Sequence, residues 1–488
     1  MGSIAAGSRN TDLSPPPIDE LFATCHDMTA NTLCALRHIP RMGELSRFPR
    51  IIRGFQFVIA WCRPTTATAH QPNEGAVMTT QPAEAEVAAP SVGTAATSDL
   101  ASFPFRRECP FAPSDKYKSY SDDALRKVDF KGAPGWLVTG YNNVRSVLAD
   151  PRMSVRGIDD STRGDAGDQV VPGFFLAMDP PEHDDLRRIL AKEFTPRRMA
   201  AMRPTIERIA NELIDDMLAS DGPVDIVDAL ALPLPSLVIC ELLGVPYDKH
   251  DFFQERTRAV LASESTPEQV GAAITDVMTY LAELVTIKQA EPGDDLISLL
   301  VKHVESGAVS IADVAGMSTL LLMAGHETTG NMIGLGLFSL FEHPDQLAEL
   351  RSDLELMPQA VEELLRHLDI IGNLPRTTTE DIEINGQTIA KGELVMLSTE
   401  AGNRDAAAFD EPDRFDIHRD AGRHLTFGHG IHTCLGAPLA RLELDVVFTT
   451  LLKRLPTLRL AVPAAAVRVK YEAKILGVHE LPVTWDRS

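Results

Sequence analysis

Cys434 sits where a thiolate could reach a metal. It lies in the run Phe427-Gly428-His429-Gly430-Ile431-His432-Thr433-Cys434-Leu435-Gly436, with the apolar stretch Ala437-Pro438-Leu439-Ala440 just behind. A thiolate ligand needs deprotonation, hydrogen-bond donors aimed at sulfur, and a backbone that can come close to a large flat group. Glycines 428, 430 and 436 are expected to supply unusual φ values and missing side-chain bulk. The amide N–H groups of a helix starting after Cys434 would face the sulfur. A lone cysteine in a glycine-rich turn is more often a buried structural residue, and only the surrounding run argues otherwise. A second constellation is Glu327-Thr328 within Ala324-Gly325-His326-Glu327-Thr328-Thr329. It falls in an apolar stretch, where an acid and a hydroxyl are expensive to bury without a purpose. The plainer alternative is a threonine hydroxyl bonding a carbonyl one turn back, with Gly325 opening a groove. Cations complete the set. His183 and Arg187 are four apart and share a helix face, and Arg187 and Arg376 could each bind a carboxylate by charge-assisted hydrogen bonds. Glu363 and Arg366 pair at i, i+3.

The elements that must position these groups are mostly helical. A strand is expected over 136–139, then a helix over 142–149 that halts before Pro151. Further helices are expected over 181–194, 199–220, 234–243 and 267–289, with the chain restarting after Gly293 into the apolar run 296–300. The longest periodic stretch begins at Ser310, an N-cap with Asp313 at N3, and ends near Glu342 before Pro344. A helix of about thirty residues, apolar nearly all round, must cross the centre of the molecule. No internal repeat is visible.

Composition sets limits. The 488 residues carry a formal net charge of −23, which excludes a nucleic-acid partner. Six cysteines without paired spacing suit a reducing cytoplasm better than a disulfide framework. Residues 63–102 are dominated by Ala, Thr, Pro, Ser, Gln and Glu and cannot bury enough surface to fold alone. The apolar stretch 51–62 is about twelve residues long and interrupted by Arg53 and Gln56, whereas a membrane span takes about twenty. It also lies too far from the N-terminus for a secretory signal, so no membrane association is expected. Residues 1–104 are therefore expected to be a disordered or misassigned extension and linker, with Met78 as a candidate start, and 105–488 the folded domain.

Taken together, the motifs resemble those of the haem-thiolate monooxygenases, the cytochrome P450 family, in its soluble bacterial form. The cysteine run meets every position of a pattern reading roughly F-G-x-G-x-H-x-C-x-G. The 324–329 segment resembles the family's oxygen-activation motif, Glu363-Leu364-Leu365-Arg366 its E-x-x-R, and Met178-Asp179-Pro180-Pro181-Glu182-His183 the start of its C helix. All four stand in the family's order, from about residue 105 to the C-terminus. The resemblance implies a mainly α fold with small β-sheets, in which haem b lies between a long central distal helix and the proximal cysteine loop and helix. Cys434 would then ligate the iron, since thiolate ligation pushes electron density that favours O–O cleavage. Phe427, Gly428, Gly436 and Ala324 would lie against the haem, and His183, Arg187, Arg376 and His432 would hold its propionates. Thr328 and Glu327 would serve oxygen activation and proton supply. Glu363 and Arg366, joined by Arg414 in Pro412-Asp413-Arg414-Phe415, would support the haem loop.

The family's substrate-facing positions map to the 152–176 loop, the 250–265 segment, Leu321 and Ala324 on the central helix, the strand from Ile371 to Leu374, and the turn Ile475-Leu476. Phe174 and Phe175 are possible additions. Their aliphatic character implies a lipophilic substrate such as a terpenoid, steroid, polyketide or xenobiotic. No flavin or iron–sulfur motif is visible, so electrons are expected from a ferredoxin and its NAD(P)H-dependent reductase. The implied reaction is hydroxylation or epoxidation with O2. A peroxygenase or nitric oxide reductase of the same fold is the alternative, although such relatives typically lack the acid–alcohol pair. A haem-binding sensor or carrier without turnover is a third.

Overall fold

The computed structural model describes residues 100–120, 125–156, 171–246, 249–261 and 265–486. The helices in chain order are α1 (Tyr141–Leu148), α2 (Glu182–Ala191), α3 (Pro196–Ala200), α4 (Arg203–Ala219), α5 (Pro233–Leu243), α6 (His250–Leu261) and α7 (Pro267–Ala290). They continue with α8 (Leu296–Glu305), α9 (Ile311–Phe341), α10 (Pro344–Ser352), α11 (Met357–Leu368), α12 (Thr399–Gly402) and α13 (Ala437–Arg454). One sheet collects β1 (Ser102–Phe103), β2 (Arg126–Phe130), β3 (Ala133–Val138), β4 (Met153–Ser154), β6 (Asn373–Thr378) and β9 (Leu394–Ser398), in the order β1-β2-β3-β9-β6-β4. A second joins β5 (Val224–Asp225), β10 (Arg459–Leu460) and β11 (Pro482–Thr484). The hairpin β7 (Ile382–Ile384) and β8 (Gln387–Ile389) turns at Asn385-Gly386, both at positive φ, as a tight two-residue turn requires.

α9 forms as its sequence implies. The Ser310 hydroxyl accepts from the Asp313 amide at 3.0 Å, and the Asp313 carboxylate accepts from the Ser310 amide at 2.9 Å, closing a capping box. Behind that cap the helix is buried on nearly every face, against α5, α7 and α13. A Cβ on Gly336 would lie 3.0 Å from the Phe448 ring, so this glycine lets α13 pack close beneath α9. Among the described residues α7 has the length and apolarity of a membrane span. It turns Val277, Leu281 and Val285 into the core beside α9.

Four expectations are corrected. The folded part begins upstream of residue 105: Ser102–Phe103 forms β1, parallel to β2, and Phe103 is buried with Phe105 and Tyr117. The rest of the 1–104 expectation, including Met78, lies outside the described residues. The helix expected over 199–220 is two helices, because Pro204 opens α4 and the chain turns at residues 201–202 before it. The strand expected from Ile371 begins at Asn373. Finally, the segment near 250–265, read as substrate-facing, is largely helix α6, and none of its described residues lines the cavity above Cys434.

Candidate functional site

The cysteine loop is held from both ends. The Cys434 amide donates to the Phe427 carbonyl at 2.8 Å, and Pro438 opens α13 directly after it. Gly428 and Gly430 adopt φ of 68° and 75°. At Gly430 a Cβ would also lie 2.3 Å from the Leu148 carbonyl, so the loop presses on the end of α1. Gly436 departs from expectation: its φ is −79°, and it serves by leaving room at the cavity wall. Burial pushes the Cys434 thiol up, while the Gly436 and Ala437 amides and the Arg187 and Arg441 guanidiniums pull the other way. Donors for a thiolate are thus in place, and a bound metal cation would supply what burial withholds.

Above the sulfur is a cavity of about 410 Å³. Its roof is α9, through Leu320, Leu321, Ala324 and Thr328, and its floor includes Phe427, Gly428, Cys434 and Leu435. Three of the expected cations or donors, Arg187, Arg376 and His432, line it. Arg376 is 7% exposed, and among the described residues its guanidinium bonds only the carbonyl of its neighbour Pro375, at 2.7 Å. Burial pushes it down to about 10 against the pull of Asp179. His432 is pushed to about 3, first by burial and then by His183, Arg376 and Arg187, and neither of its ring nitrogens has a partner. Arg187 donates to the Thr433 carbonyl. His183 does not line the cavity. It sits behind His432, ring centroids 4.3 Å apart, with Nδ1 on Asp184 at 2.8 Å and Nε2 unpartnered. The remaining N–H groups of the Arg376 guanidinium and the one N–H of neutral His432 are open buried donors, which an anion would answer. A flat apolar macrocycle bearing carboxylates fits both the walls and the donors.

In the roof, the Thr328 hydroxyl donates to the Ala324 carbonyl one turn back at 2.6 Å, the bond the plainer reading expected. Thr328 lines the cavity, and its hydroxyl oxygen keeps the capacity to accept. Glu327 does not line the cavity; its Oε2 lies 3.4 Å from Asn331 Nδ2. His326 points elsewhere, and burial pushes it to about 4, so it is neutral. Polar lining residues given no role from the sequence are Thr329, Thr426, His429, Thr433 and Glu443 of α13, the last pushed well above the usual carboxylate range by burial. Glu443 lies on the core face of an ordinary amphipathic helix, so nothing in the pattern marks it.

Glu363 and Arg366 form a bidentate pair, 2.7 and 2.8 Å, both wholly buried. Arg366 also donates to the Asn403 and Pro412 carbonyls, each at 2.8 Å. Arg414 does not join them as a side chain: its guanidinium bonds the exposed Glu411 and Asp416. The arginine that reaches Glu363 is Arg419, at 3.2 Å.

Of the substrate-facing positions, Leu321, Ala324, Ile371 and Leu374 line the cavity, as does Phe175. Ile475 and Leu476 do not: Leu476 is packed in the core, its amide donating to the Ile370 carbonyl at 2.8 Å. Phe174 is likewise core. Leu176, in the expected 152–176 loop, lines it too, and Ile239 and Ile370 take part in addition. The segment 157–170 lies outside the described residues.

The cytochrome P450 family model matches residues 270–482. Cytochrome P450-SU2 of Streptomyces griseolus is 46% identical over 387 residues, covering 77% of this chain and 94% of that protein. The vitamin D3 dihydroxylase of the same species is 42% identical over 404 residues, covering 80% and 98%. The crystal structure of CYP105P1 in complex with filipin I is 42% identical, covers 80% of this chain and 100% of its own, and has a TM-score of 0.75.

Proposed function

The chain is a haem b monooxygenase of the cytochrome P450 family, and from that premise we propose that Cys434 is its iron ligand and a lipophilic small molecule its substrate, hydroxylated or epoxidised with O2. The observation that carries this is one cavity bounded below by Cys434 and above by Thr328. Haem, when bound, supplies the iron at which O2 is reduced and its O–O bond cleaved. The chain does the rest. Arg187, Arg376 and His432 would hold the propionates, with His183 packed behind His432, and Phe427, Gly428, Gly436 and Ala324 would line the ring. The Thr328 oxygen accepts a hydrogen bond over the cavity floor, and Glu327 relays protons from outside the pocket. Glu363, Arg366 and Arg419 brace the loop that ends at Cys434.

The apolar wall of Leu320, Leu321, Ile239, Ile370, Ile371 and Leu374 supports a lipophilic substrate, and the vitamin D3 and filipin I named for two relatives suit such a wall. Electrons come from a ferredoxin and its reductase. Beside the cysteine loop, Arg145, Arg423 and His429 line a second cleft of about 430 Å³, a cationic spot on an acidic protein that would steer an acidic carrier. The cysteines among the described residues are unpaired, in keeping with the cytoplasm. The domain proper runs from about residue 100 to the C-terminus.

Thr328→Ala should keep near-normal substrate affinity in a spectral titration while diverting electrons into hydrogen peroxide. Glu327→Gln should slow turnover at saturating substrate, since a positioned proton donor is worth about 10² to 10⁴ in rate. Added peroxide should recover some activity in either. Unchanged coupling of electrons to product in both variants would point to the peroxygenase or reductase reading instead.

A further inference from the structure

The Glu327 carboxylate has a partner chain. One turn along α9, Asn331 donates from Nδ2 to the Glu327 main-chain carbonyl at 2.9 Å and, more weakly, to Oε2 at 3.4 Å. Its Oδ1 accepts from Lys470 Nζ at 3.1 Å. Lysine only donates and a carboxylate only accepts, so a single amide orientation satisfies both. The loop carrying Lys470 is shaped for this contact. Val469 bridges Val478, the Lys470 amide donates to the Gly477 carbonyl at 2.8 Å, and a Cβ on Gly477 would lie 1.9 Å from Asn331 Oδ1. Glycine at 477 is what lets the loop close on the buried amide.

We propose that Lys470 and Asn331 are positioning residues for Glu327: the lysine fixes the Asn331 amide, and the amide orients the Glu327 carboxylate. The proposal rests on the reading of Glu327 as the proton-delivering acid. Donation to Oδ1 polarises the amide and strengthens its Nδ2 donors. The other titratable groups here cannot replace the lysine. His326 is neutral, pushed to about 4 by burial, with Arg258 of α6 and Lys470 adding to the effect. Glu443 of α13 is an acid, pushed well above the usual carboxylate range by burial. Lys470 is the cation bonded into the chain.

Infrared difference spectroscopy on the full-length holoenzyme can follow the Glu327 carboxylate stretch, its band identified by its loss in Glu327→Gln. Lys470→Gln keeps a hydrogen-bond donor without the charge, and Lys470→Arg keeps both. In Lys470→Gln the band should shift as the Asn331 hydrogen bond weakens, and peroxide leakage should increase several-fold, with the substrate-induced spectral shift unchanged. Lys470→Arg should return both toward wild type. Adding Lys470→Gln to Glu327→Gln should cause no further loss, as expected for two members of one chain. A wild-type band and coupling in Lys470→Gln, with Glu327→Gln still impaired, overturns the positioning role. Normal turnover in Glu327→Gln instead sinks the acid reading beneath it. Haem or substrate loss in both lysine variants alike would show a merely structural lysine and likewise overturn the proposal.

Discussion

Among the described residues the buried Arg376 guanidinium bonds only the carbonyl of its own neighbour, and a cation left in that state is strongly destabilising unless an anion meets it. The one N–H of neutral His432 adds an open donor beside it. If a haem propionate answers, one charge-assisted bond is worth about 1.5 to 3 kcal/mol. Arg376→Gln should then release haem to an apo-acceptor roughly 10 to 100 times faster. Retention at the wild-type rate would remove this contact. That Arg187, Arg376, His432 and Cys434 belong around one cavity was legible in the sequence, because a thiolate site and an anion site each restrict the chemistry to few side chains. Which arginine meets Glu363 was not. Arg414 and Arg419 lie in the same turn-rich stretch, and the fold directs the Arg414 carbonyl, not its side chain, toward Arg366. That choice belongs to tertiary turn geometry, on which spacing is silent.

Among the elements, α9 was legible almost to the residue, since a capping box at one end and Pro344 beyond the other are local signals. Helices α3 and α4 were read as one because their apolar period runs on through the break. The pairing of α11 with α13 is tertiary and leaves no local mark. Glu362 of α11 bonds Arg441 of α13 at 2.5 and 3.0 Å and lies 3.3 Å from His424. Burial alone would raise this carboxyl, but His424 and Arg441 more than reverse it and hold it at about 2. A carboxylate depressed on folding stabilises the fold fully above its unfolded value, near 4.5, and loses that stabilisation as pH falls toward 2. The shift corresponds to at most about 3 kcal/mol. Glu362→Gln should therefore lower the melting temperature at pH 7, by an amount that stays constant down to about pH 5.5 and shrinks below about 4.5. A deficit independent of pH across that window would assign the loss to packing and not to charge.

At the scale of the whole molecule, the relatives set the size of the working unit. They are matched over 94% to 100% of their own length while occupying 77% to 80% of this chain. The first described elements agree, because β1 pairs with β2 at the edge of the large sheet, and Phe103 and Phe105 stack edge-on with Tyr117. Low complexity upstream was readable from composition. The true margin of the fold was not, because a two-residue strand at a sheet edge carries no periodicity. Two shortened chains separate the possibilities. One beginning at Met78 retains β1 and should incorporate haem and melt like the full chain. One beginning at Arg106 loses Phe103 and Phe105, whose removal from a packed cluster costs about 3 to 5 kcal/mol each. It should therefore melt well below the first or fail to hold haem. Equal melting of the two would show that β1 is dispensable, and loss of haem from the Met78 chain would show that residues upstream of it support the fold.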